Sequence, residues 1–238
     1  MARAGIPLLA VLIDADNSSP KWAEAIFEEI ASLGEASVRR VYGDFARAAM
    51  KGWSDLTPTL ALVPHHQPAN TVGKNASDIA LVIDAMDLLH SGRFDGFVLV
   101  SSDSDFTRLA SRIREQGLDV YGIGQRKTPE AFRMACKRFI FVENLGAEPE
   151  PDQRDAPRRE SPSKAVPLIK AAMQAIDKDQ EWFALGPLGQ KITANHPDFD
   201  SRTYGCAKLS DLIRKAGGFE TRVSGNQLEV RVTPRRKD

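Results

Sequence analysis

Aspartates stand directly after two apolar segments of this chain. Asp14 follows the run Leu8–Ile13 and Asp103 follows the run Phe97–Val100, each with a further aspartate two residues on. An uninterrupted apolar run of this kind is typical of a strand buried on both faces of a parallel sheet. Such sheets bind ligands beyond the carboxyl ends of their strands. If the two strands are neighbours, we therefore expect the aspartates to converge.

A group of converging carboxylates indicates a divalent cation. Two carboxylates about 4 Å apart repel each other by roughly 4 kcal/mol at an effective dielectric constant of about 20. Mg²⁺ removes this repulsion, because it binds carboxylates together with water and substrate phosphate. Such an ion can also generate hydroxide from water and neutralise charge on a phosphate under attack. No His, Ser or Cys is evidently placed to act as a nucleophile, so the pattern favours attack by metal-activated water.

A third acid, Asp78, begins a predicted helix, Ser77–His90. Asp78 and Asp105 also have an ordinary structural interpretation, because an acid in the first turn stabilises a helix by about 1 kcal/mol. Asp14 has no such interpretation, since capping gives nothing to a carboxylate that ends a buried strand. The combination of Asp14 with Asp103 therefore favours a functional site over separate capping roles.

The elements that would hold these acids alternate along the chain. The predicted strands are Leu8–Ile13, Ser37–Tyr42, Thr59–Val63, Phe97–Val100, Leu118–Ile123 and Phe139–Val142. The predicted helices are Pro20–Leu33, Ser77–His90, Phe106–Gln116 and Pro129–Ala135. This alternation predicts a three-layer α/β fold, with helices on both faces of a mainly parallel sheet.

The helix that carries Asp78 has a regular apolar pattern. Its predicted buried face consists of four residues at helical spacing: Ile79, Val82, Ile83 and Met86. Asp84 lies about 240° around the helix axis from Asp78 and cannot share its face. Asp84 and Asp87 are therefore predicted to be solvated or salt-bridged.

The composition changes between residues 147 and 164. This segment has four prolines and nine charged residues, and it predicts a flexible linker because it cannot bury enough apolar surface to become ordered. We therefore predict one domain over residues 1–146 and a small winged-helix domain over residues 165–234. The second domain is predicted from helices at Val166–Ile176, Leu188–Thr193 and Tyr204–Ala216, followed by hairpin strands at Phe219–Val223 and Gln227–Val232.

The overall composition is that of a globular protein, with 42% apolar and 27% charged residues. Lys plus Arg and Asp plus Glu number 32 each, so bulk charge does not indicate a nucleic-acid binder. Cys136 and Cys206 have no ligating companions, which predicts reduced thiols rather than a disulfide or a zinc site. The apolar run at the start is too short for a membrane span, and we expect a cytoplasmic protein.

The acidic motifs together resemble the NYN family of PIN-like ribonucleases, in its bacterial LabA-related branch. The matching residues, within about residues 6–145, are Ile13-Asp14-Ala15-Asp16-Asn17, Lys74-Asn75-x-x-Asp78 and Ser101-Ser102-Asp103-Ser104-Asp105-Phe106. The resemblance implies a PIN-like, Rossmann-like sheet and an endoribonuclease that depends on Mg²⁺ or Mn²⁺. It implies that Asp14, Asp78 and Asp103 are the central metal ligands. Asp105 would support them, and Asn17 would position Asp14 or contact the substrate.

Basic residues near the acids could contact RNA. Lys74, about one turn before Asp78, could contact the phosphate that is cut. Arg47 and Lys51 lie in a segment with three aromatic residues, Tyr42, Phe45 and Trp53. This mixture suits single-stranded RNA through phosphate contact and base stacking, although such aromatics can equally belong to the core. The histidines at positions 65 and 66 lack a companion cluster, so a loop role is predicted rather than metal binding.

Residues 165–232 resemble the LOTUS domain, also called OST-HTH, which is often joined to NYN domains. The matching stretches are Pro187–Gln190, Tyr204–Ile213 and Phe219-Glu220. Lys208, Arg214 and Lys215, together with Arg202 and Arg222, are available for RNA, and their alternative is an ordinary solvated face. The resemblance implies a module that binds RNA or a protein partner.

Two other functions stay open. A phosphatase of the haloacid dehalogenase type also places Asp-x-Asp after its first strand, but it would want Thr or Val where this chain has Ser18. A non-catalytic adaptor could retain the acidic pocket and recruit RNA or protein. A dinucleotide site is discounted, because Gly122-x-Gly124 lacks the third glycine of the usual loop.

Overall fold

The computed structural model describes residues 5–68, 76–146 and 159–234. The chain divides into two compact units, residues 1–148 and 149–238. Lys74, Asn75 and most of the predicted linker lie outside the described residues. Within the described ranges, no helix is long and apolar enough to cross a membrane.

The first unit is a sheet flanked by helices. Its strands are β1 (Leu8–Asp14), β2 (Glu35–Gly43), β3 (Val63–His66), β4 (Gly96–Val100), β5 (Asp119–Gly124) and β6 (Arg138–Phe141). Its helices are α1 (Ala23–Leu33), α2 (Lys51–Leu56), α3 (Ala76–His90), α4 (Thr107–Glu115) and α5 (Glu130–Ala135). Short 3-10 turns at Pro20–Trp22, Ala48–Met50 and Ser104–Phe106 lead into α1, α2 and α4.

The strands of this unit lie in the order β3-β2-β1-β4-β5-β6, and each pairs in parallel with its neighbours. The chain moves outward from β1 to β3 and then returns to place β4 on the other side of β1. This reversal creates a topological switch point between β1 and β4, where sheets of this kind bind ligands. The predicted α/β fold with a mainly parallel sheet is confirmed.

Each face of the sheet packs a core of its own. One core joins Leu12, Tyr42 and Leu99 of the strands to Leu81 of α3, Ile113 of α4 and Phe132 of α5. The other joins Val11, Ile13 and Val100 to Ile26 of α1 and Trp53 of α2. Because successive side chains of a strand point to opposite faces, β4 and β1 as far as Ile13 must be apolar at every position. This double burial explains why the sequence shows them as uninterrupted apolar runs.

The third strand is not where its apolar residues suggest. Residues 57–61 form a turn, and Ala61 adopts the left-handed region with a φ of 50°. The strand that pairs with β2 is Val63–His66, which contains a proline and both histidines of the pair. The predicted strand Thr59–Val63 is therefore wrong, and the two histidines lie in a strand rather than in a loop.

Helix α3 buries only part of the predicted face, because Val82 and Met86 pack partly buried against the core whereas the two isoleucines do not. Ile79 and Ile83 are 61% and 57% exposed, while the buried residues are Leu81, Ala85, Leu88 and Leu89. The helix is apolar on two sides, so its periodicity alone could not choose between them. Asp78 precedes Leu81 by three positions and therefore continues the buried stripe at the start of the helix.

The second unit combines three helices with a small antiparallel sheet. Its elements are α6 (Val166–Ile176), β7 (Phe183–Ala184), α7 (Leu185–Asn195), α8 (Leu209–Ala216), β8 (Phe219–Ser224) and β9 (Gln227–Val232). The strands lie in the order β7-β9-β8. Gly225, at a φ of 57°, lies in the two-residue loop between β8 and β9, as the hairpin prediction requires. The predicted small helical domain with a C-terminal hairpin is confirmed.

Several boundaries in this unit differ from the prediction. The predicted helix Leu188–Thr193 is the longer helix α7, Leu185–Asn195. The predicted helix Tyr204–Ala216 is a 3-10 turn, Ser201–Tyr204, followed by the shorter helix α8. Residues 159–164, which the composition placed in the linker, lie against the second unit. The backbone N–H of Glu160 donates to the Thr203 carbonyl at 2.9 Å.

Candidate active site at the carboxyl edge of the sheet

Asp14 is the last residue of β1 and is buried, with 1% of its surface exposed. Its Oδ2 accepts a hydrogen bond of 2.7 Å from the Ser101 hydroxyl, which follows β4. Its Oδ1 accepts from the backbone N–H groups of Asp16 and Asn17, at 3.1 and 3.2 Å. Burial raises the pKa of Asp14, and the hydrogen bonds from Ser101 and Asn17 lower that pKa by less. The carboxyl group of Asp14 is therefore held from both sides of the switch point.

Asp103 and Asp105 lie at the 3-10 turn that leads into α4. Asp103 Oδ1 accepts from the backbone N–H of Asp105 at 2.9 Å, so Asp103 caps this turn. The backbone N–H of Asp103 donates to Ser101 Oγ at 3.0 Å. Ser101 thus links the two acidic motifs, because its proton contacts Asp14 while its oxygen accepts from the Asp103 backbone.

Asp16 connects the loop after β1 to the start of α3. Its Oδ2 accepts a hydrogen bond of 3.0 Å from the Ser77 hydroxyl. Its Oδ1 lies 3.7 Å from Nη1 of Arg47. Asp16 therefore places one exposed cation, Arg47, at the margin of the acidic group.

Asp78, in the first turn of α3, interacts electrostatically with the acids at both strand ends. Burial, the larger cause, and repulsion from other carboxylates together raise the pKa of Asp78 to about 6. The acids that repel it are Asp14, Asp103, Asp16 and Asp105. Four carboxylates at the two strand ends therefore act electrostatically on Asp78 at the start of α3.

The chemistry of these acids fits a hard divalent ion. Carboxylate oxygens are the ligands that Mg²⁺ takes in proteins. Within residues 5–68, 76–146 and 159–234, no three His, Cys, Asp or Glu side chains already form a group that could hold a metal ion. The acids therefore match such an ion in donor type and converge without forming a closed set of ligands.

Two protein-family models match this chain, one in each of its two units. The NYN domain model matches residues 8–143, which is more than half of the chain. The chain belongs to the NYN family. The OST-HTH/LOTUS domain model matches residues 159–230, so the predicted order of an NYN domain followed by a LOTUS domain is confirmed. We call residues 1–148 the NYN unit and residues 149–238 the LOTUS unit.

One solved structure similar to this NYN protein is that of a protein of unknown function from Vibrio parahaemolyticus. The two are 19% identical, with a TM-score of 0.48, over 58% of this chain and 94% of that one. No curated protein matches the chain. The NYN domain is a PIN-like nuclease domain and the LOTUS domain is an RNA-binding domain. The protein therefore joins a domain of the nuclease type to a domain of the RNA-binding type.

The basic and aromatic residues of the NYN unit divide between the site and the core. Arg47 lies beside Asp16 at the acidic group, whereas Lys51 forms an ion pair of 2.7 Å with Asp55 within α2. Tyr42 and Trp53 are fully buried, so neither can stack on a base. Lys74 lies outside the described residues.

Two serines of the site were not singled out from the sequence. Ser101 directly follows the apolar run of β4, and this position was a signal that could have identified it. Ser77 had no such signal, because its partner Asp16 is distant in the chain. Both serines donate hydrogen bonds to acids and so hold the carboxylates in place.

A second polar cluster lies next to the acids on the α3 side of the sheet. Asp84 Oδ2 accepts from Arg40 Nη1 and from the Tyr42 hydroxyl, both at 2.8 Å, and lies 3.2 Å from Nδ1 of His65. The prediction that Asp84 is salt-bridged describes this arrangement. The cluster fastens α3, and with it Asp78, to strands β2 and β3.

Three of the predicted RNA contacts in the LOTUS unit are exposed. Lys208 immediately precedes α8, while Arg214 and Lys215 lie in its last turn. Arg214 also lies 3.5 Å from Asp211. These three cations remain accessible at one helix of the unit.

The other two predicted cations are engaged with carboxylates. Arg202 pairs with Asp200 at 2.6 Å and Arg222 pairs with Glu229 at 2.7 Å. Arg222 also stacks on the Trp182 ring, 4.1 Å from its centroid. Asp200 and Glu229 offset their charge, so Arg202 and Arg222 are weaker candidates for RNA contacts than the three exposed cations.

Proposed function

We propose that this protein is a metal-dependent endoribonuclease that cleaves single-stranded RNA. The observation that carries the proposal is that Ser101 joins Asp14 to the backbone of Asp103 at the switch point. Asp78 is close enough to these acids, and to Asp105, to interact with them electrostatically. Several negative carboxylates close together at a ligand-binding edge repel one another, and this repulsion costs free energy unless a cation is bound. The two domain families support RNA as the substrate, because one domain of this protein is of a type that acts on RNA and the other is of a type that binds it.

Asp14, Asp78 and Asp103 would hold Mg²⁺ or Mn²⁺, with Asp105 in support. When bound, such an ion lowers the pKa of water and offsets charge on the phosphate under attack. The chain's own residues hold the acids in place for this. Ser101 donates to Asp14 Oδ2 and Asn17 donates to Asp14 Oδ1, so the carboxyl group cannot rotate away.

Basic residues would bring the phosphates of the substrate to these acids. Arg47 lies at the margin of the acidic group, and Lys74 precedes Asp78 in the matching motif. In the LOTUS unit, Lys208, Arg214 and Lys215 would contact phosphates further along the strand. Lys51 is a weaker candidate, because its ammonium group is paired with Asp55.

The test is an assay of labelled single-stranded RNA with the full-length protein and Mg²⁺ or Mn²⁺, with and without EDTA. We expect internal cuts that EDTA abolishes. A small phosphate ester is assayed in parallel, because its hydrolysis without RNA cleavage would favour the phosphatase alternative. RNA binding without cleavage of either substrate would instead favour the adaptor alternative.

A further inference from the structure

One histidine, His65, lies in a row with Asp14 across the carboxyl edge of the sheet. Asp14 at the end of β1 pairs in register with Tyr42 of β2, and Tyr42 pairs with His65 of β3. Asp14 and Tyr42 face α3, because alternate residues of β1 face opposite sides and Tyr42 belongs to the core beneath that helix. Two strand spacings separate the Cα atoms of Asp14 and His65, which are therefore about 10 Å apart. A neighbouring nucleotide of a strand bound at the acids can span this distance.

The side chain of His65 is held on the α3 side of the sheet by two neighbours. Its ring lies against that of Tyr42, with 4.9 Å between the ring centroids. Its Nδ1 lies 3.2 Å from Oδ2 of Asp84, the carboxylate that also accepts from Arg40 and Tyr42. The imidazole is therefore fixed on its Nδ1 side, while 28% of the side chain stays exposed.

The charges around His65 determine where its proton lies. An ionised carboxylate can only accept hydrogen bonds, so Asp84 favours the tautomer that carries the proton on Nδ1. Burial lowers the pKa of His65, Asp84 raises that pKa by less, and Arg40 lowers it further. The ring is therefore neutral at pH 7, with its proton facing Asp84.

The other ring nitrogen, Nε2, is then an open hydrogen-bond acceptor. In the part of the chain that the structure describes, no group donates a hydrogen bond to this nitrogen. A neutral Nε2 accepts but cannot donate, so a phosphate oxygen, which also only accepts, is not its partner. In the sugar-phosphate backbone of RNA, the group that can donate is the ribose 2′-hydroxyl.

A cation lies on the same side of the acids as His65. The loop after β2 carries Arg47, whose Nη1 lies 3.7 Å from Oδ1 of Asp16 and whose side chain is exposed. This loop is attached to the end of β3, because the backbone N–H of Phe45 donates to Nδ1 of His66 at 3.1 Å. A strand that runs from the acids toward β3 would therefore pass a group that attracts its phosphates.

We propose that His65 recognises ribose, by accepting a hydrogen bond at Nε2 from the 2′-hydroxyl of a nucleotide next to the cleaved phosphate. The proposal rests on the proposed function, since it takes single-stranded RNA bound at the acids as the ligand. Asp84 is a positioning residue in this contact, because it orients the ring and fixes its proton. The contact favours RNA over DNA, which lacks the hydroxyl.

The experiment compares the affinity of the full-length protein for two short single strands of the same base sequence. One carries ribose throughout, and the other carries 2′-fluororibose, which cannot donate at the 2′ position. Binding is measured in the Asp103→Asn parent with Mg²⁺, and the ratio of the two dissociation constants reports all 2′-hydroxyl contacts. His65→Phe keeps a ring against Tyr42 but has no acceptor. The ratio should therefore fall by about threefold to tenfold, which corresponds to the loss of one neutral hydrogen bond.

Two variants show whether the acceptor or the ring is responsible. His65→Gln has an amide oxygen at about the reach of Nε2 and should keep a ratio close to that of the parent. His90→Phe, at an exposed position in the last turn of α3, is the matched control and should leave the ratio unchanged. His65→Leu also lacks an acceptor and replaces His65→Phe if that variant does not fold. An unchanged ratio in the variant without an acceptor, or an equal fall in His65→Gln, overturns the proposal.

A cleavage assay with the unsubstituted protein and Mg²⁺ separates this proposal from the nuclease proposal. Cleavage of RNA, combined with a ratio that does not depend on His65, overturns the ribose contact alone. Absence of cleavage, combined with a ratio that does depend on His65, overturns the nuclease and leaves the ribose contact standing. A protein that binds neither strand overturns both.

Discussion

The Ser101 hydroxyl donates a hydrogen bond of 2.7 Å to Asp14 Oδ2 across 87 residues of sequence. This contact joins the ends of β1 and β4, the two strands that meet at the switch point. It also connects the acid of the first strand to the backbone of Asp103. The orientation of Asp14 is therefore set by the neighbouring strand as well as by its own loop.

Ser101→Ala should weaken activity while leaving the fold intact. A hydrogen bond to a charged group is worth about 1.5–3 kcal/mol, so we expect a loss of roughly tenfold or more in kcat/KM. The Mg²⁺ concentration for half-maximal activity should rise, because Asp14 is less well oriented. The control is Ser111→Ala on α4, whose hydroxyl donates to the Thr107 carbonyl. Equal activity of the two variants would contradict this role of Ser101.

Asp14→Asn and Asp103→Asn should each lower RNA cleavage by at least about a hundredfold, or roughly 2.7 kcal/mol. Each removes a charge from the proposed ion site but keeps the shape of the side chain. Asp87→Asn, at an exposed position of α3, is the matched control and should cleave normally. Full cleavage by both site variants would show that the acids do not hold the ion.

Asp78→Asn should stabilise the NYN unit when metal is absent. The pKa of Asp78 is raised from 3.8 to about 6 in the folded protein, so its contribution to stability is fully present below pH 3.8 and is lost as the pH rises through 6. Asparagine does not titrate. In EDTA, the variant should therefore gain on the order of 1 kcal/mol over the parent protein between pH 4 and 7, after allowance for partial exposure.

Urea unfolding at pH 4 and at pH 7 measures this difference in the free energy of unfolding between the variant and the parent protein. The gain should disappear or reverse with millimolar Mg²⁺, because bound metal stabilises the parent protein preferentially. A variant that is equally less stable at both pH values would contradict the raised pKa.

Asp84→Ala should destabilise the NYN unit by about 2 kcal/mol, because it leaves the buried Tyr42 hydroxyl without its acceptor. It also releases Arg40 and His65 from the same carboxylate. Asp87→Ala, on the same helix, should change stability by less than about 0.5 kcal/mol. Thermal unfolding compares the two. A result in which both variants unfold alike would show that the cluster around Asp84 does not fasten α3.

The exposed cations of the LOTUS unit should produce part of the salt dependence of RNA binding. Each contact with a phosphate of single-stranded RNA contributes a slope of about −0.7 in log K against log salt. In the full-length protein, the double change Lys208→Ala, Lys215→Ala should therefore reduce the magnitude of the slope by about 1.4. Lys178→Ala, at an exposed lysine after α6, should leave it unchanged. An unaltered slope in the double variant would favour a protein partner for this surface.

The sequence predicts an element best where one requirement, such as burial on both faces, determines the composition of the whole segment. β1 and β4 are buried on both faces, so their residues are apolar throughout and the acids that follow them stand out. β3 was misplaced, because its residues include a proline and two histidines and it becomes a strand only by pairing with β2. Its position depends on its neighbour rather than on its own composition.

Helix α3 shows a different limit. Both Ile79 and Leu81 belong to regular apolar patterns, and only packing against the sheet decides which is buried. The same packing decides that Asp78 faces the other acids. The hydrogen bond between Ser101 and Asp14 could not be predicted either, since the two residues are 87 positions apart in sequence and meet only across the switch point.

The strand order has a consequence for how this protein comes into being. Synthesis proceeds from the N-terminus, and domains generally fold as their segments emerge. Asp14 is made before β4, and its strand lacks its second neighbour until β4 and Ser101 have been made, 87 residues later. A nascent chain of shorter length carries only part of the acidic group. If the protein cuts RNA as proposed, the ribosome finishes this stretch of the messenger before its product acquires the means to destroy it.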